Sequence, residues 1–147
     1  MKSLFDREPR EEIVARLEKL NADSKAKWGK FDAGHMLAHV IDTFEACFAE
    51  RKITISKNMF NSVIGRWMVI DGPFPWPKGA PTSPELFVTK PGDFDYDKQR
   101  VINYIKRLEN RSHQEFGPSP YLGELSPAQW SRLHYRHLDH HLKQFGL

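Results

Sequence analysis

The sequence predicts an all-α fold, a four-helix bundle, on three observations. Apolar residues recur at spacings of three and four in four long stretches. No β-branched run alternates with period two, so a sheet is not expected. One proline-rich stretch interrupts the helical pattern midway and reads as a long crossover carrying a short extra helix ahead of it.

The first helix is expected over about 9–21, with Pro9 in its opening turn and Ile13, Val14, Leu17 and Leu20 at helical spacing. A second runs from Asp32, an N-cap residue type, to about Glu50. The short segment Lys57–Ile70 spaces Met59, Phe60, Val63, Ile64, Trp67 and Met68 as one apolar helix. Asp71–Tyr96 then holds six of the ten prolines (73, 75, 77, 81, 84 and 91), and its Phe74, Trp76 and Phe87 predict a crossing packed onto the domain. A further helix is expected over 97–114, seamed by Val101, Ile102, Ile105 and Leu108. Ser126 and Pro127 open the last helix, which Gly146 ends.

Composition fits one soluble domain spanning 1–147. The chain is 39% hydrophobic and 28% charged, and a chain of this length buries roughly 70% of its unfolded surface. Its ten Phe, four Trp and four Tyr are spread throughout, which excludes disorder as the main state. No apolar run reaches the ~18 residues of a membrane span, and MKSLFDREPREE carries acids where a signal peptide would be apolar. The lone Cys47 excludes an internal disulfide or a cysteine-rich zinc site, and makes a cytoplasmic location the expectation. A net charge of +3, with Lys and Arg scattered among acids, predicts no nucleic-acid partner. The REPREE cluster at 7–12 is a solvated helix start.

Four of the seven histidines fall between 134 and 141. At 100° per residue, His134, His137 and His141 lie within about 40° of Trp130. Leu133, Leu138 and Phe145 flank them, while Arg132, Arg136, Asp139 and Lys143 occupy the other side and His140 the flank. Buried imidazoles need partners at both nitrogens, and crowding favours the neutral, metal-binding form. His137 and His141, at i and i+4, can reach one ion. The rival reading is a set of core histidines held by hydrogen bonds; a pair with a third histidine in line favours metal. A further ligand must come from elsewhere. His35 and His39 share a polar stripe of the second helix with Asp42, and helical arithmetic alone leaves both in play. HLDHH lacks the Glu of an HExxH protease motif, and the paired Glu-x-x-His motifs of di-iron bundles are missing. A mononuclear site with three histidines and open positions remains.

At these residues the sequence resembles the DinB-like, or YfiT-like, metalloenzymes. The segments that carry the likeness are WGKFDAGHMLAHVID, from Trp28, and LHYRHLDHHLKQFG, from Leu133. Together with LSPAQW at 125–130, the terminal HLDHHLKQFG looks like the mark of one subfamily. The resemblance covers nearly the whole chain. It implies a four-helix bundle with a long crossover between the second and third long helices. It also implies metal ligation by His39, His137 and His141. Relatives in that group include S-transferases that use low-molecular-weight thiols and a thiol-dependent isomerase. The Lys57–Ile70 helix and the proline-rich crossing depart from the plainest pattern, and are expected to roof the pocket.

The expected function is therefore that of a metal-dependent enzyme, a low-molecular-weight-thiol S-transferase, acting on a small-molecule substrate. A metal-dependent hydrolase and a non-catalytic metal- or ligand-binding bundle are the alternatives. Three imidazoles accept zinc, nickel, iron and copper alike; the expected cofactor is a divalent ion, zinc or nickel. His134 is a candidate catalytic residue, as hydrogen-bond donor beside the ligands or proton carrier, against a packed histidine as the plain reading. Asp42 is a second, orienting a ligand imidazole or serving as base, against a structural role. Trp67, Trp76 and Arg66 are candidate lid residues, and Cys47 is a core residue. A fourth ligand from Asp93 or Asp95 would favour the structural alternative. The chain is expected as a monomer or homodimer.

Overall fold

A computed structural model describes residues 1–80 and 83–147. Pro81, one of the crossing's prolines, lies outside the described residues. The fold is all-α. Five helices follow in order: α1 (Arg7–Glu18), α2 (Ala33–Cys47), α3 (Val63–Ile70), α4 (Phe94–Arg107) and α5 (Pro127–Gln144). Among the described residues there is no strand, only one isolated bridge between Ser119 and Gly123. No described helix is long and apolar enough to cross a membrane.

Local chemistry sets the helix starts. Asp32 accepts a hydrogen bond from the His35 amide and so caps α2. Asp93 does the same for Tyr96 in α4, which therefore begins three residues before the expected position. Ser126 caps α5, and Gln129 returns the bond to the Ser126 amide as a capping box. Phe145 closes α5, and Gly146 follows it in the left-handed region at φ +80°.

The Lys57–Ile70 segment is not one helix. Asn58 caps a 3-10 turn, Met59–Asn61, and Ser62 leaves helical geometry at ψ 160° to cap α3 through the Gly65 amide. Short polar side chains here compete with the helical ladder for backbone donors. After Arg107, α4 passes into a 3-10 segment, Leu108–His113, instead of running on to 114.

α1 packs on α4 and α5, and α2 packs on α4 and α5, so the four longer helices enclose one core. Ile13, Leu17, Leu37, Ile41, Phe44, Val101, Ile105, Leu138 and Leu142 fill it. A second cluster, Cys47, Ile70, Leu122, Leu125 and Trp130, lies where α3 meets α5. The polar side of α5 also has structural partners. Arg16 of α1 pairs with Asp139 at 2.8 Å. Arg132 pairs with Asp71 at 2.7 Å, and Arg136 donates to the carbonyls of Gly72 and Phe74. These bonds fasten the end of α3 and the start of the crossing onto α5, above its histidines.

Candidate metal centre

α2 and α5 bring His39, His137 and His141 together as a buried cluster that could hold a metal ion. The Nε2 atom of His137 lies 3.0 Å from Nε2 of His39 and 3.0 Å from Nε2 of His141. Two nitrogens bound at about 2.0–2.1 Å to one ion stand roughly 3.0–3.4 Å apart, so the spacing fits a shared metal.

The other ring nitrogens decide which atoms face inward. His39 Nδ1 lies 2.7 Å from the Leu86 carbonyl, which only accepts, so the proton is on Nδ1 and Nε2 presents a lone pair. The Gln144 amide nitrogen donates to the Trp28 carbonyl at 2.8 Å, which turns its oxygen toward His141 Nδ1 at 2.9 Å. His141 is thereby fixed in the same tautomer. His137 has one proton at most to place on Nε2, and two lone pairs face it. That proton can serve the two lone pairs only by being shared between them. A cation at the centre satisfies all three nitrogens at once, and the donor set fits a divalent metal.

Burial holds the cluster neutral. His39 is pushed below the ordinary histidine value by burial, with the Leu86 carbonyl and Asp42 opposing. His137 is pushed well below it by burial and by its histidine neighbours. Burial, then the proximity of His39, lowers His141 to about 3.

The three histidines open onto a cavity of about 530 Å³. Its walls are mostly apolar and aromatic, including Phe31, Phe60, Phe74, Trp76, Phe87 and Trp130, and among the described residues no acid lines it. Phe87 stacks on His39 with ring centres 4.8 Å apart, and Trp76 lies 5.8 Å from the His137 ring.

A family model described as a protein of unknown function, DUF1569, matches residues 5–146. The chain belongs to the DUF1569 family. No curated protein and no solved structure matches it significantly.

Within this DUF1569 chain the other expected site residues fall out differently. His35 stays exposed at the entry of α2, 2.9 Å from the Asp32 carboxylate. Asp42 neither orients a ligand imidazole nor lines the cavity. Its buried carboxylate accepts from the Val88 and Thr89 amides and the Thr89 hydroxyl, and pairs with Arg51 at 3.2 Å. Those bonds tie the crossing to α2, which is a structural role; His39 takes its second partner from Leu86 instead. His134 lines the cavity, but its ring is stacked between Phe44 and Trp130, centres 3.9 and 5.2 Å away. Both its nitrogens are buried without a hydrogen-bond partner among the described residues, and burial lowers its pKa to about 3. Trp76 covers the site, held by its indole N–H on the Val69 carbonyl at 2.8 Å. Trp67 and Arg66 do not line the cavity; Arg66 donates to the Glu124 carbonyl. Asp93 and Asp95 stand outside the histidine cluster, one capping α4 and the other facing Lys98. Cys47 is buried, and burial pushes its thiol well up.

Sequence reasoning missed Leu86, Phe87 and Gln144 as parts of the site. Gln144 sits three residues after His141 and was within reach of helical spacing. Leu86 acts through its backbone carbonyl, 47 residues from His39, and leaves no signal in the sequence.

Proposed function

We propose that this chain is a metal-dependent enzyme on a DinB-like four-helix bundle, with one divalent ion, zinc or nickel, held by His39, His137 and His141. The observation that carries the reading is the convergence of three Nε2 atoms with the Nδ1 atoms of His39 and His141 already engaged. The cyclic packing of α1, α4, α2 and α5 supports the bundle assignment. An ion bound there supplies Lewis acidity, lowering the pKa of water or a thiol toward neutrality.

The proposed reaction is transfer of a low-molecular-weight thiol to an apolar electrophile. The thiol gives its proton to water, its sulfur forms a bond to the electrophilic carbon, and the leaving group departs with its electron pair. The chain's own part is to bind and exclude water. Phe31, Phe87 and Trp76 present flat apolar surface to an aromatic or aliphatic body, and Trp76 with the crossing covers it. Among the described residues no serine–histidine–acid set and no accessible thiol lines the cavity, so covalent catalysis by the protein is not invoked. Among the described residues no fourth ligand-type side chain joins the three clustered histidines, which supports an open site over a closed structural one. A reducing, cytoplasmic compartment suits a free thiol co-substrate.

Metal analysis of protein purified without an affinity tag is expected to find about one divalent ion per chain. Metal-loaded protein is then mixed with cellular thiols and a reactive aromatic electrophile, and conjugate is followed. Full metal retention by a His137→Ala, His141→Ala double variant would sink the site. A His39→Ala variant that conjugates as fast as wild type would sink the chemistry, and turnover of esters or amides alone would replace it with hydrolysis.

A further inference from the structure

A row of three rings runs along the histidine cavity with a cation at each end. Lys78 Nζ stands over the Trp28 ring, 4.7 Å from its centre. Trp28 meets His140 edge-on at 6.1 Å, and His140 meets Trp76 at 5.9 Å. The Arg136 guanidinium closes the row, 5.7 Å from the Trp76 ring. Trp28, Trp76, Arg136 and His140 all line the cavity, and so does Lys30. Trp76 is also 5.8 Å from the His137 ring, so the row comes within one ring of the metal centre.

These cations lack acids. Arg136 is half-buried, and two of its five N–H donors go to the carbonyls of Gly72 and Phe74. Those bonds orient the group but leave its charge unmatched. Asp71, an acid whose charge reaches it, is already paired with Arg132 at 2.7 Å. Lys30 and Lys78 are exposed, and among the described residues neither has a carboxylate within ion-pair distance. A half-buried guanidinium without a counter-ion is costly to hold, and apolar walls strengthen its pull on an anion.

We propose that the cavity takes an organic carboxylate, with an aromatic body among the rings and its carboxylate on Arg136. This names the substrate class of the metal site, and rests on that reading for the chemistry that follows binding. The donors left on Arg136 suit a planar carboxylate. Lys30 and Lys78 raise the local concentration of an anion at the mouth. A cavity of about 530 Å³ accepts a small aromatic acid. The carboxylate belongs to the electrophile, because a peptide thiol carries an ammonium group that these cations repel and little apolar surface to set against the rings.

The test is calorimetric titration of the full chain, first metal-free and then zinc-loaded. The probes are 2-naphthylacetate and its neutral amide, 2-naphthylacetamide, which share one shape. The acid is expected to bind the metal-free protein about tenfold tighter or better, an advantage that shrinks with added salt. Arg136→Gln is expected to abolish the advantage and leave the amide's affinity unchanged. Arg136 also fastens the crossing, so a Lys30→Gln, Lys78→Gln double variant alters only exposed side chains. It is expected to weaken the acid roughly threefold and spare the amide. Equal affinity for acid and amide overturns the inference, as does an Arg136→Gln loss that falls on both ligands alike. A preference for the acid that appears only with zinc would place the carboxylate on the metal, and overturns it too. Displacement of naphthylacetate by S-methylglutathione, a peptide thiol with its sulfur blocked, would overturn the assignment to the electrophile and give the anion to the thiol. The metal-free titration needs neither ion nor turnover, so its failure leaves the metal centre to be judged by its own tests.

Discussion

The Nε2 atoms of His39 and His137 lie 3.0 Å apart, although 98 residues separate them in the chain. Neither ring is free to turn the contact into an ordinary hydrogen-bonded chain. His39 is pinned from behind by Leu86, and His137 must also face His141 at the same distance. A cation among the three nitrogens would satisfy all of them at once. Burial lowers all three pKa values, which favours the neutral imidazoles that metal binding needs.

Gln144 is expected to set metal affinity without touching the metal. Its oxygen fixes His141 in the tautomer that offers Nε2, and its own amide is locked by the Trp28 carbonyl. Replacing such a supporting partner typically weakens metal binding 10–100-fold. Gln144→Leu is therefore expected to lower affinity within that range, measured by competition with a chromogenic chelator, while helix content stays. Unchanged affinity would show that His141 orients itself without help.

Acid is expected to destabilise the metal-free protein, and the sign follows from the burial of the histidines. His39 and His137 are lowered, and His134 and His141 are lowered to about 3. The unfolded chain, with histidines near 6.5, then binds more protons than the native one below that pH. Stability is fully present above about pH 6.5 and is lost as pH falls toward 3, by up to roughly 1.4 kcal/mol per unit for each histidine. Urea midpoints measured in chelator at pH 7.5 and 5.5 check it, with the lower midpoint at pH 5.5. His134→Phe keeps the aromatic stack with Phe44 and Trp130 and is expected to flatten part of the slope. A midpoint that rises on acidification would mean that the cluster is charged in the native state.

Removing the metal is expected to lower the melting temperature yet leave the helices formed. The core of Ile13, Leu17, Leu37, Ile41, Phe44, Val101, Ile105 and Leu138 does not depend on the histidines. Metal at 1,000 times its dissociation constant adds about 4 kcal/mol, or roughly 10 °C for a chain of this size. Thermal melts with and without chelator measure the shift. Loss of the far-ultraviolet helix signal at low temperature would make the metal a folding element instead.

What the sequence disclosed, and what it hid, divides along one physical line. Features repeated at helical spacing were legible: the seams Ile13–Leu17–Leu20 and Val101–Ile105–Leu108, and the inward row His134, His137, His141. So were the caps Asp32 and Ser126, because a cap needs only one side chain beside its own helix. Partnerships across the chain were not. Asp42 looked like a polar group beside a ligand, but its donors come from Val88 and Thr89 in the crossing. His134 shares the face of its neighbours yet stacks between two aromatic rings out of hydrogen-bond contact. Val63 and Ile64 of α3, both exposed, gave the same apolar signal as a core seam, since spacing records which residues are apolar and not which side is covered.

Asp42 supplies the last expectation, because a structural carboxylate and a catalytic base answer differently to one substitution. The side chain is fully buried and receives Val88 N at 2.7 Å, Thr89 Oγ1 at 2.5 Å and Thr89 N at 3.1 Å, with Arg51 opposite. Asp42→Asn keeps the shape but puts an N–H₂ group where an acceptor faced donors, and leaves Arg51 with Glu45, 3.8 Å away, as its remaining counter-charge. Breaking a buried pair on one side costs about 3–5 kcal/mol, and the near-isosteric amide should fall toward the lower end. The loosened segment is the one that carries Leu86, so His39 loses some of its orientation and metal affinity is expected to fall along with stability. Both effects are read by denaturant unfolding and metal titration. At saturating metal, the pH profile of turnover separates the roles. A positioning residue leaves the profile's shape unchanged while the apparent metal affinity moves. Loss of the profile's acid limb in Asp42→Asn, with metal affinity intact, would return Asp42 to the role of base and would require its hydrogen bonds to Val88 and Thr89 to open during the reaction.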